Sequence, residues 1–276
     1  MKVFLIISLI NCAFADKRCR GIDFDQKYFN VDIIKEGINH LHDIALNRND
    51  NNVYFTYETL SEVPSKVLGY LDIATKKADV IHGIRNATAI TIDQFYGKVY
   101  VGGADGLFKI NDQKLVERLP IQDDIRSLYF RDALYFTNWN REAYKFEDGY
   151  ATLVRELRGV KVDKFVIDND DNIFFTIDKK LFRVKLGTRA INSHEMYTVD
   201  YLTTDIYHRP YICTSKGVYM YNKYKYVYDK VSNTAGLKGL TFNKRNEPLY
   251  AVADYLVKLK LSEIPCFEDL SSYSGY

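Results

Sequence analysis

Residues 87–111 read ATAITIDQFYGKVYVGGADGLFKIN, and this stretch decides the fold of the chain. Its alternating β-branched and aromatic residues, interrupted by Gly and Asp, are typical of short antiparallel strands joined by tight turns. The first predicted strand ends at Asp93, and two more span residues 98–102 and 107–110. Turns around Gly97 and residues 104–106 separate them. The stretch is therefore one antiparallel unit, and the same unit recurs along the chain.

The recurrence is clearest from an aromatic residue in the second strand of each unit. Successive anchors are 46, 35, 39, 37 and 39 residues apart. In five units an Asp or Asn six or seven positions before the anchor closes an apolar strand, and in the third unit Arg131 takes that place. Six units of about 40 residues, each made of short strands, predict an all-β fold, a six-bladed β-propeller. The anchors are Tyr54, Tyr100, Tyr135, Phe174, Tyr211 and Tyr250.

The last unit needs a strand from another part of the chain. Five units have a candidate fourth strand, among them residues 151–160 in the third unit, whereas residues 237–261 provide only three. Residues 28–34, YFNVDII, have the same alternating character. We expect this N-terminal strand to close the propeller as the outer strand of the last blade, because the ring would otherwise have an unpaired edge.

The first fifteen residues have the pattern of a secretory signal peptide. Lys2 precedes an apolar core, and Ala13-Phe14-Ala15 precedes a charged segment, so cleavage is expected after Ala15. An uncleaved anchor is the alternative, but the apolar core is too short to span a bilayer as a retained helix. The sequence thus predicts residues 1–15 as signal peptide and 16–276 as a single propeller domain of a secreted, extracellular protein without a membrane segment.

Charge excludes one class of partner. Removal of Lys2 with the signal leaves 37 basic and 36 acidic residues, from 38 and 36 in the full chain. Nucleic acid binding requires a concentrated basic face, which this balance does not indicate. The sequence therefore favours a partner other than nucleic acid.

Three cysteines remain after the signal is removed, and two of them flank the expected closure. Cys19 precedes the closing strand and Cys266 follows the third strand of the last unit, so their sulfurs are expected to lie close together. A Cys19–Cys266 disulfide would stabilise the fold by about 5 kcal/mol in the loop-entropy account. Cys213 lies inside a predicted strand, where a buried free thiol behaves as a small apolar residue.

Other local motifs are less informative. Asn86-Ala87-Thr88 is a glycosylation sequon, and Asn86 either carries a glycan or is an ordinary turn residue. His40 and His42 could suggest a metal pair, but no further His or Cys cluster completes a zinc site. Residues 168–172 resemble the start of a calcium loop, but Ile173 replaces its required Gly and Lys179 its required Glu. No catalytic residue, metal or cofactor is therefore predicted.

The propeller axis is the expected binding site, because the inner strands of every blade converge there. Aligning the six units on the residue that closes the inner strand gives two candidate rings, one residue apart in register. Cationic and polar aromatic side chains in these rings suit a planar, anionic or polar aromatic ligand, whereas inter-blade ion pairs are the alternative role for each residue. The predicted ligand-binding residues are His42, Arg126, Lys164, Tyr201 and Lys238.

Three segments resemble the insect ommochrome-binding proteins. They are residues 19–22 (CRGI), residues 99–103 (VYVGG) followed by residues 106–108 (GLF), and residues 134–137 (LYFT). This resemblance in layout covers nearly the whole mature chain. It implies an extracellular carrier that binds a tryptophan-derived pigment without chemistry, and it transfers no individual binding residue.

A calcium-dependent lactonase or esterase is the competing hypothesis, since six-bladed rings of similar size include such enzymes. Their metal requires converging Glu, Asn and Asp ligands. The candidate rings instead mix three Asp residues with Arg126, Lys164 and Lys238. The sequence therefore favours a carrier of a small aromatic ligand over the enzyme.

Overall fold

The computed structural model describes residues 21–263, which form six antiparallel sheets arranged as the blades of a β-propeller. The prediction of an all-β, six-bladed fold is confirmed. Residues 1–20 and 264–276, including the expected signal peptide, Cys19 and Cys266, lie outside the described residues. Within residues 21–263, no helix is long and apolar enough to cross a membrane.

Each of the first three blades has four strands, and the chain reaches them after an N-terminal hairpin. The hairpin strands are β1 (Gly21–Phe24) and β2 (Lys27–Lys35). The twelve strands of blades 1 to 3 follow in groups of four: β3 (Asp43–Asn47), β4 (Asn52–Glu58), β5 (Lys66–Asp72) and β6 (Ala78–Ile81); β7 (Ala89–Asp93), β8 (Lys98–Gly103), β9 (Gly106–Ile110) and β10 (Val116–Arg118); β11 (Ile125–Phe130), β12 (Leu134–Asn138), β13 (Ala143–Glu147) and β14 (Tyr150–Leu153).

Blades 4 and 5 repeat this arrangement, and the last blade combines both ends of the described chain. Its sheet has the order β1-β2-β25-β24-β23. Strand β2 is antiparallel to β25, with Val31 opposite Leu259. The strands of blades 4 to 6 are β15 (Lys164–Ile167), β16 (Asn172–Ile177), β17 (Lys180–Lys185), β18 (Asn192–Thr198), β19 (Tyr201–Thr204), β20 (Pro210–Thr214), β21 (Gly217–Asn222), β22 (Val227–Ser232), β23 (Leu237–Phe242), β24 (Pro248–Val252) and β25 (Tyr255–Leu261).

The outer strand of blade 3 is shorter than the sequence pattern predicts. β14 ends at Leu153, and a 3-10 turn follows at Arg155–Leu157, so the expectation of a strand over residues 151–160 is wrong beyond its first residues. Gly159 adopts a left-handed φ of +80°. The physical reason is topological: the chain must leave the outer edge of blade 3 and return to the axis, and buried Leu157 anchors that crossing.

The aromatic anchors pack blades against each other. In blade 3, Tyr135 meets Phe165 of blade 4 edge-on, with ring centroids 6.0 Å apart. In blade 4, Phe174 meets Tyr221 of blade 5 at 4.7 Å. In blade 5, Tyr211 meets Phe242 of blade 6 at 4.9 Å. Such aromatic pairs add to the stability gained from burial. In these three blades the repeated anchor therefore contributes directly to packing between neighbouring sheets.

The polar residue that closes each inner strand is explained by its side chain. Asp168 Oδ1 accepts hydrogen bonds from the backbone N–H of Asp170 at 2.9 Å and of Asn172 at 2.8 Å. Asp205 Oδ1 likewise accepts from the backbone N–H groups of Tyr207 and Arg209, both at 2.9 Å. These are Asx turns, in which a short acidic or amide side chain satisfies the backbone of a tight turn. The predicted calcium-like segment is thus a hairpin turn.

Cys213 is buried in β20 with a free thiol, as the sequence predicts. Burial raises the pKa of this thiol well above its ordinary value. The sulfur is therefore protonated and behaves as part of the apolar core.

Candidate functional site

The axis contains a cavity of about 400 Å³ bordered by the inner strands. The inner strands β3, β7, β11, β15, β19 and β23 contact one another in turn around the axis. We call the face at which these strands begin the entry face and the face at which they end the exit face; both names refer to the direction of the chain. The residues that border the cavity include apolar ones such as Ile90, Leu128 and Val166 and hydroxyl-bearing ones such as Thr91 and Thr203. A volume of this size lies within the range of small-molecule sites.

At the entry end of the axial cavity, three side chains from three blades form one hydrogen-bonded network. Tyr201 donates its O–H to Asp43 Oδ1 at 2.6 Å, and Lys164 Nζ lies 3.3 Å from the same oxygen. The ammonium group also lies 3.8 Å from the centroid of the Tyr201 ring. Asp43 Oδ2 accepts from the backbone N–H of Ile90 at 3.0 Å. This carboxylate therefore links blades 1, 2, 4 and 5 across the axis.

Burial dominates the electrostatics of this network. It raises the pKa of Tyr201 well above its ordinary value, and the negative charge of Asp43 adds to the shift. The phenol is therefore a hydrogen-bond donor at any physiological pH. Since Asp43 already has three donors, its oxygens are committed to structure, and a cation at this position would have to displace Lys164.

Two predicted binding residues, Lys164 and Tyr201, border the axial cavity together. They belong to the candidate ring formed four positions before the residue that closes each inner strand, whose members are Asp43, Ala89, Ser127, Lys164, Tyr201 and Gly239. Residues two positions further along each strand, such as Thr203, face the same cavity because side chains alternate across a strand. The structure thus places Lys164 and Tyr201 at the axial cavity, while contact of either residue with a ligand stays a prediction.

The other three predicted residues lie on the entry face, outside the cavity. Arg126 and Lys238 each occupy an extra position in a β-bulge at the start of an inner strand, and both side chains are exposed. Arg126 stacks on the Trp139 ring, 3.8 Å from its centroid. His42 Nε2 lies 3.0 Å from Glu58 Oε1, and His40 shares the same carboxylate. A bulge reorients its side chain, which the repeat spacing alone does not reveal.

Asn86 also lies on the entry face. It is exposed in the turn between β6 and β7, with a φ of +50°. Its side-chain oxygen is 3.4 Å from the backbone N–H of Lys66. The amide nitrogen can be reached from solvent, so glycosylation at Asn86 stays a prediction.

The exit end of the cavity is bordered by residues that the sequence interpretation did not propose as binding residues. They lie in the turns that follow the inner strands. A signal was present, because several of them come directly after the polar turn residue used to align the repeats. The exit residues that carry charge or a polar group include Arg48, Gln94, Arg131, Asp132 and His208, and the turn residues Asp93 and Asp205 border the same end.

An exposed aromatic pair flanks this exit end. Phe95 and Tyr96 both border the cavity, and their rings meet edge-on with centroids 4.7 Å apart. Their side chains are 83% and 68% exposed. Aromatic faces left in solvent beside an opening offer a stacking surface for a planar molecule.

Within residues 21–263, no group of three or more His, Cys, Asp or Glu side chains is arranged to hold a metal ion. The chemistry that the described cavity offers is hydrogen bonding, ion pairing and apolar contact.

Solved structures of other proteins resemble this chain in fold. No family profile matches the chain. The fold resembles a gluconolactonase from Xanthomonas campestris, with a TM-score of 0.66 at 9% identity, covering 88% of this chain and 96% of that one. It also resembles the calcium-binding protein regucalcin from Agrobacterium tumefaciens, with a TM-score of 0.64 at 12% identity, covering 84% and 94%. At these identities the likeness shows the propeller fold alone.

A sequence relative gives a more specific result. Over 260 residues the chain is 24% identical to the ommochrome-binding protein of Manduca sexta, covering 91% of this chain and 93% of the relative. The resemblance to the ommochrome-binding proteins is therefore confirmed along nearly the whole chain. Together, the fold, the cavity and this relative support a binding protein built on a six-bladed β-propeller.

Proposed function

We propose that the protein is a secreted carrier that binds a small aromatic, ommochrome-like pigment in the axial cavity. The observation that carries this proposal is the cavity of about 400 Å³, with an apolar and hydroxyl-bearing wall and cationic groups at both ends. The relative from Manduca sexta, an ommochrome-binding protein, supplies the ligand class. Apolar walls with few polar groups are what small-molecule sites use to bind and orient a ligand.

The structure also offers a reason to favour a carrier over a calcium-dependent lactonase. The axial carboxylate of Asp43 is hydrogen-bonded by Tyr201 and Lys164 at 2.6 and 3.3 Å. A calcium site needs several oxygen ligands, and a neighbouring ammonium group opposes a divalent cation. The likeness to a gluconolactonase extends to the fold and supplies no such ligand set.

Titration with xanthommatin tests the proposal. We expect a change in visible absorbance that saturates at one pigment per chain and is unaffected by a chelator. Thr203→Phe should abolish it, because Thr203 borders the cavity and a benzyl group would fill the space. Thr75→Phe, which makes the same change at an exposed turn, is the matched control. Lactone hydrolysis that requires calcium and stops on chelation would instead support the enzyme.

Export is a further part of the proposal. Peptide mapping of the protein secreted from insect cells should find Asp16 at the N-terminus, a peptide pair joined through Cys19 and Cys266, and a glycan on Asn86. Retention of residues 1–15 in the secreted protein, or two free thiols at these cysteines, would contradict the corresponding expectation.

A further inference from the structure

Arg48 lies at the exit end of the cavity on a rigid turn. Its backbone N–H donates to Gln94 Oε1 at 3.1 Å, and Gln94 Nε2 donates back to the carbonyl of Leu46 at 2.8 Å. Asn47 Nδ2 also donates to the carbonyl of Gly97 at 3.1 Å. These bonds join the first turns of blades 1 and 2, so the base of the Arg48 side chain is fixed.

The guanidinium group of Arg48 has no partner of its own in the described chain. Its Nε is buried and makes no hydrogen bond, and the group forms no ion pair with any residue between 21 and 263. The carboxylate whose charge acts on it is Asp205, and this carboxylate is already bound by Arg209 Nε at 2.7 Å and Asn246 Nδ2 at 3.1 Å. Burial lowers the pKa of the Arg48 guanidinium. An unpaired, half-buried cation is unfavourable, and an anion beside it would reduce that penalty.

The other residues at the exit end have partners of their own, which leaves the position beside the Arg48 guanidinium open to an anion. Arg131 is already paired with Asp171 at 2.9 Å. Tyr129 donates its O–H to the carbonyl of Ile167 at 2.7 Å, so the 3.3 Å contact between its oxygen and His208 Nδ1 requires that nitrogen to donate. His208 Nε2 is then free to accept a hydrogen bond. Burial lowers the pKa of His208, and the charges of Arg131 and Arg48 lower it further, which keeps the ring neutral at pH 7.

The entry end lacks a comparable cation. Lys164 is bound to Asp43 at 3.3 Å, and Arg126 lies outside the cavity on the Trp139 ring. An acid group placed at the entry end would have to compete with Asp43 for Lys164.

Three carboxylates also border the exit end, and each already has a donor: Asp93 accepts from the backbone N–H of Phe95 at 3.0 Å, Asp132 from the Tyr135 hydroxyl at 3.2 Å, and Asp205 from Arg209 Nε at 2.7 Å. Among the described cations that border the cavity, Arg48 is therefore the one left to pair with an acid group.

We infer that the axial ligand is an aromatic acid, that it enters through the exit face, and that its acid group pairs with Arg48. This inference deepens the proposed function and rests on the same axial cavity. The ring system then extends inward between Thr91 and Thr203, and the aromatic pair Phe95 and Tyr96 lies beside the opening. Recognition of the acid group selects carboxylated pigments over their neutral derivatives.

Calorimetric titration with two pairs of ligands tests this inference. The pairs are xanthommatin with its methyl ester, and 1-naphthoate with neutral 1-naphthamide. Arg48→Gln should weaken binding of each acid roughly tenfold to a hundredfold, the effect of losing a charge-assisted hydrogen bond, and change binding of each neutral analogue little. Arg48→Lys should retain part of the affinity. Arg158→Gln, which removes the same charge from an exposed loop, is the control.

The outcomes separate the two proposals. Failure of xanthommatin to bind, with 1-naphthoate still dependent on Arg48, would contradict the pigment function and leave the acid site intact. Pigment binding that Arg48→Gln leaves unchanged, or weakens equally for acid and ester, would overturn the inference and leave the pigment function intact. Thermal melting confirms that each variant is folded. If neither acid binds the wild-type protein, both proposals are wrong.

Discussion

Asp43 shows how much of this fold can depend on one residue. Its carboxylate receives hydrogen bonds from Tyr201 and from the backbone of Ile90, and lies beside the ammonium group of Lys164. Its side chain is 7% exposed. A propeller is held by contacts between neighbouring blades, so a bond that crosses the axis ties together blades that otherwise do not touch.

Replacing Asp43 with Ala should lower the free energy of unfolding by about 3 kcal/mol or more, because Lys164 and Tyr201 lose their partner inside the protein. Urea denaturation monitored by fluorescence measures the change. Asp32→Ala is the matched control: it removes a carboxylate whose partner, Lys76, is 52% exposed, and should cost less than about 1 kcal/mol. Equal losses in the two variants would show that the axial network contributes little.

At the scale of the elements, glycines on the two innermost strands of a blade, Gly239 in β23 and Gly102 in β8, allow neighbouring blades to approach closely. The ideal Cβ of a residue at position 239 would lie 2.6 Å from Ile44 Cγ1, in the adjoining blade. Gly102 has the same relation to Ile125, at 2.4 Å from its Cγ2. These glycines are required by close approach of neighbouring strands, since neither position has a left-handed φ.

Gly239→Ala should therefore destabilise the protein by about 1–3 kcal/mol through overpacking. Ile44→Ala alone should cost about 2–5 kcal/mol. The double variant should cost less than the sum of the two, since removing the Ile44 side chain makes room for the new methyl group.

Chemical denaturation of the four proteins gives the coupling energy. Lys238→Ala, at the adjacent exposed position, is the control and should change stability by less than about 0.5 kcal/mol. Strict additivity of Gly239→Ala and Ile44→Ala would mean that the two residues are not in contact.

At the scale of the whole molecule, three histidines couple stability to pH. Burial lowers the pKa of His42, His194 and His208. A neighbouring positive charge lowers each pKa further: Lys66 acts on His42 and Arg183 acts on His194. Arg131 and Arg48 both act on His208. Each ring binds a proton more readily in the unfolded chain than in the folded one. Stability should therefore increase with pH through this range.

We expect the melting temperature to fall as the pH is lowered from 7.5 to 5.5, and His208→Gln to flatten part of that slope. Differential scanning calorimetry across the range measures both. A melting temperature that rises on acidification, or a slope that His208→Gln leaves intact, would show that these rings do not govern the response.

Sequence reasoning identified only some of the residues that border the candidate site. Repeat alignment found Lys164 and Tyr201 because side chains that share a position in successive blades converge on the axis. It also selected Arg126 and Lys238, since a bulge adds a residue without changing the repeat length enough to be noticed. Arg48 was missed, although it follows Asn47 directly, because spacing does not show at which end the cavity is open.

The sequence by itself determined the number of blades, the all-β fold and the turn chemistry between strands. These features follow from local alternation and from Asx turns, which need only neighbouring residues. Tertiary structure alone decided where the axial cavity opens and which charges remain unpaired in it. That outcome depends on side chains from blades far apart in the chain, such as Asp43 with Lys164 and Tyr201, which meet at one end and leave Arg48 unpaired at the other.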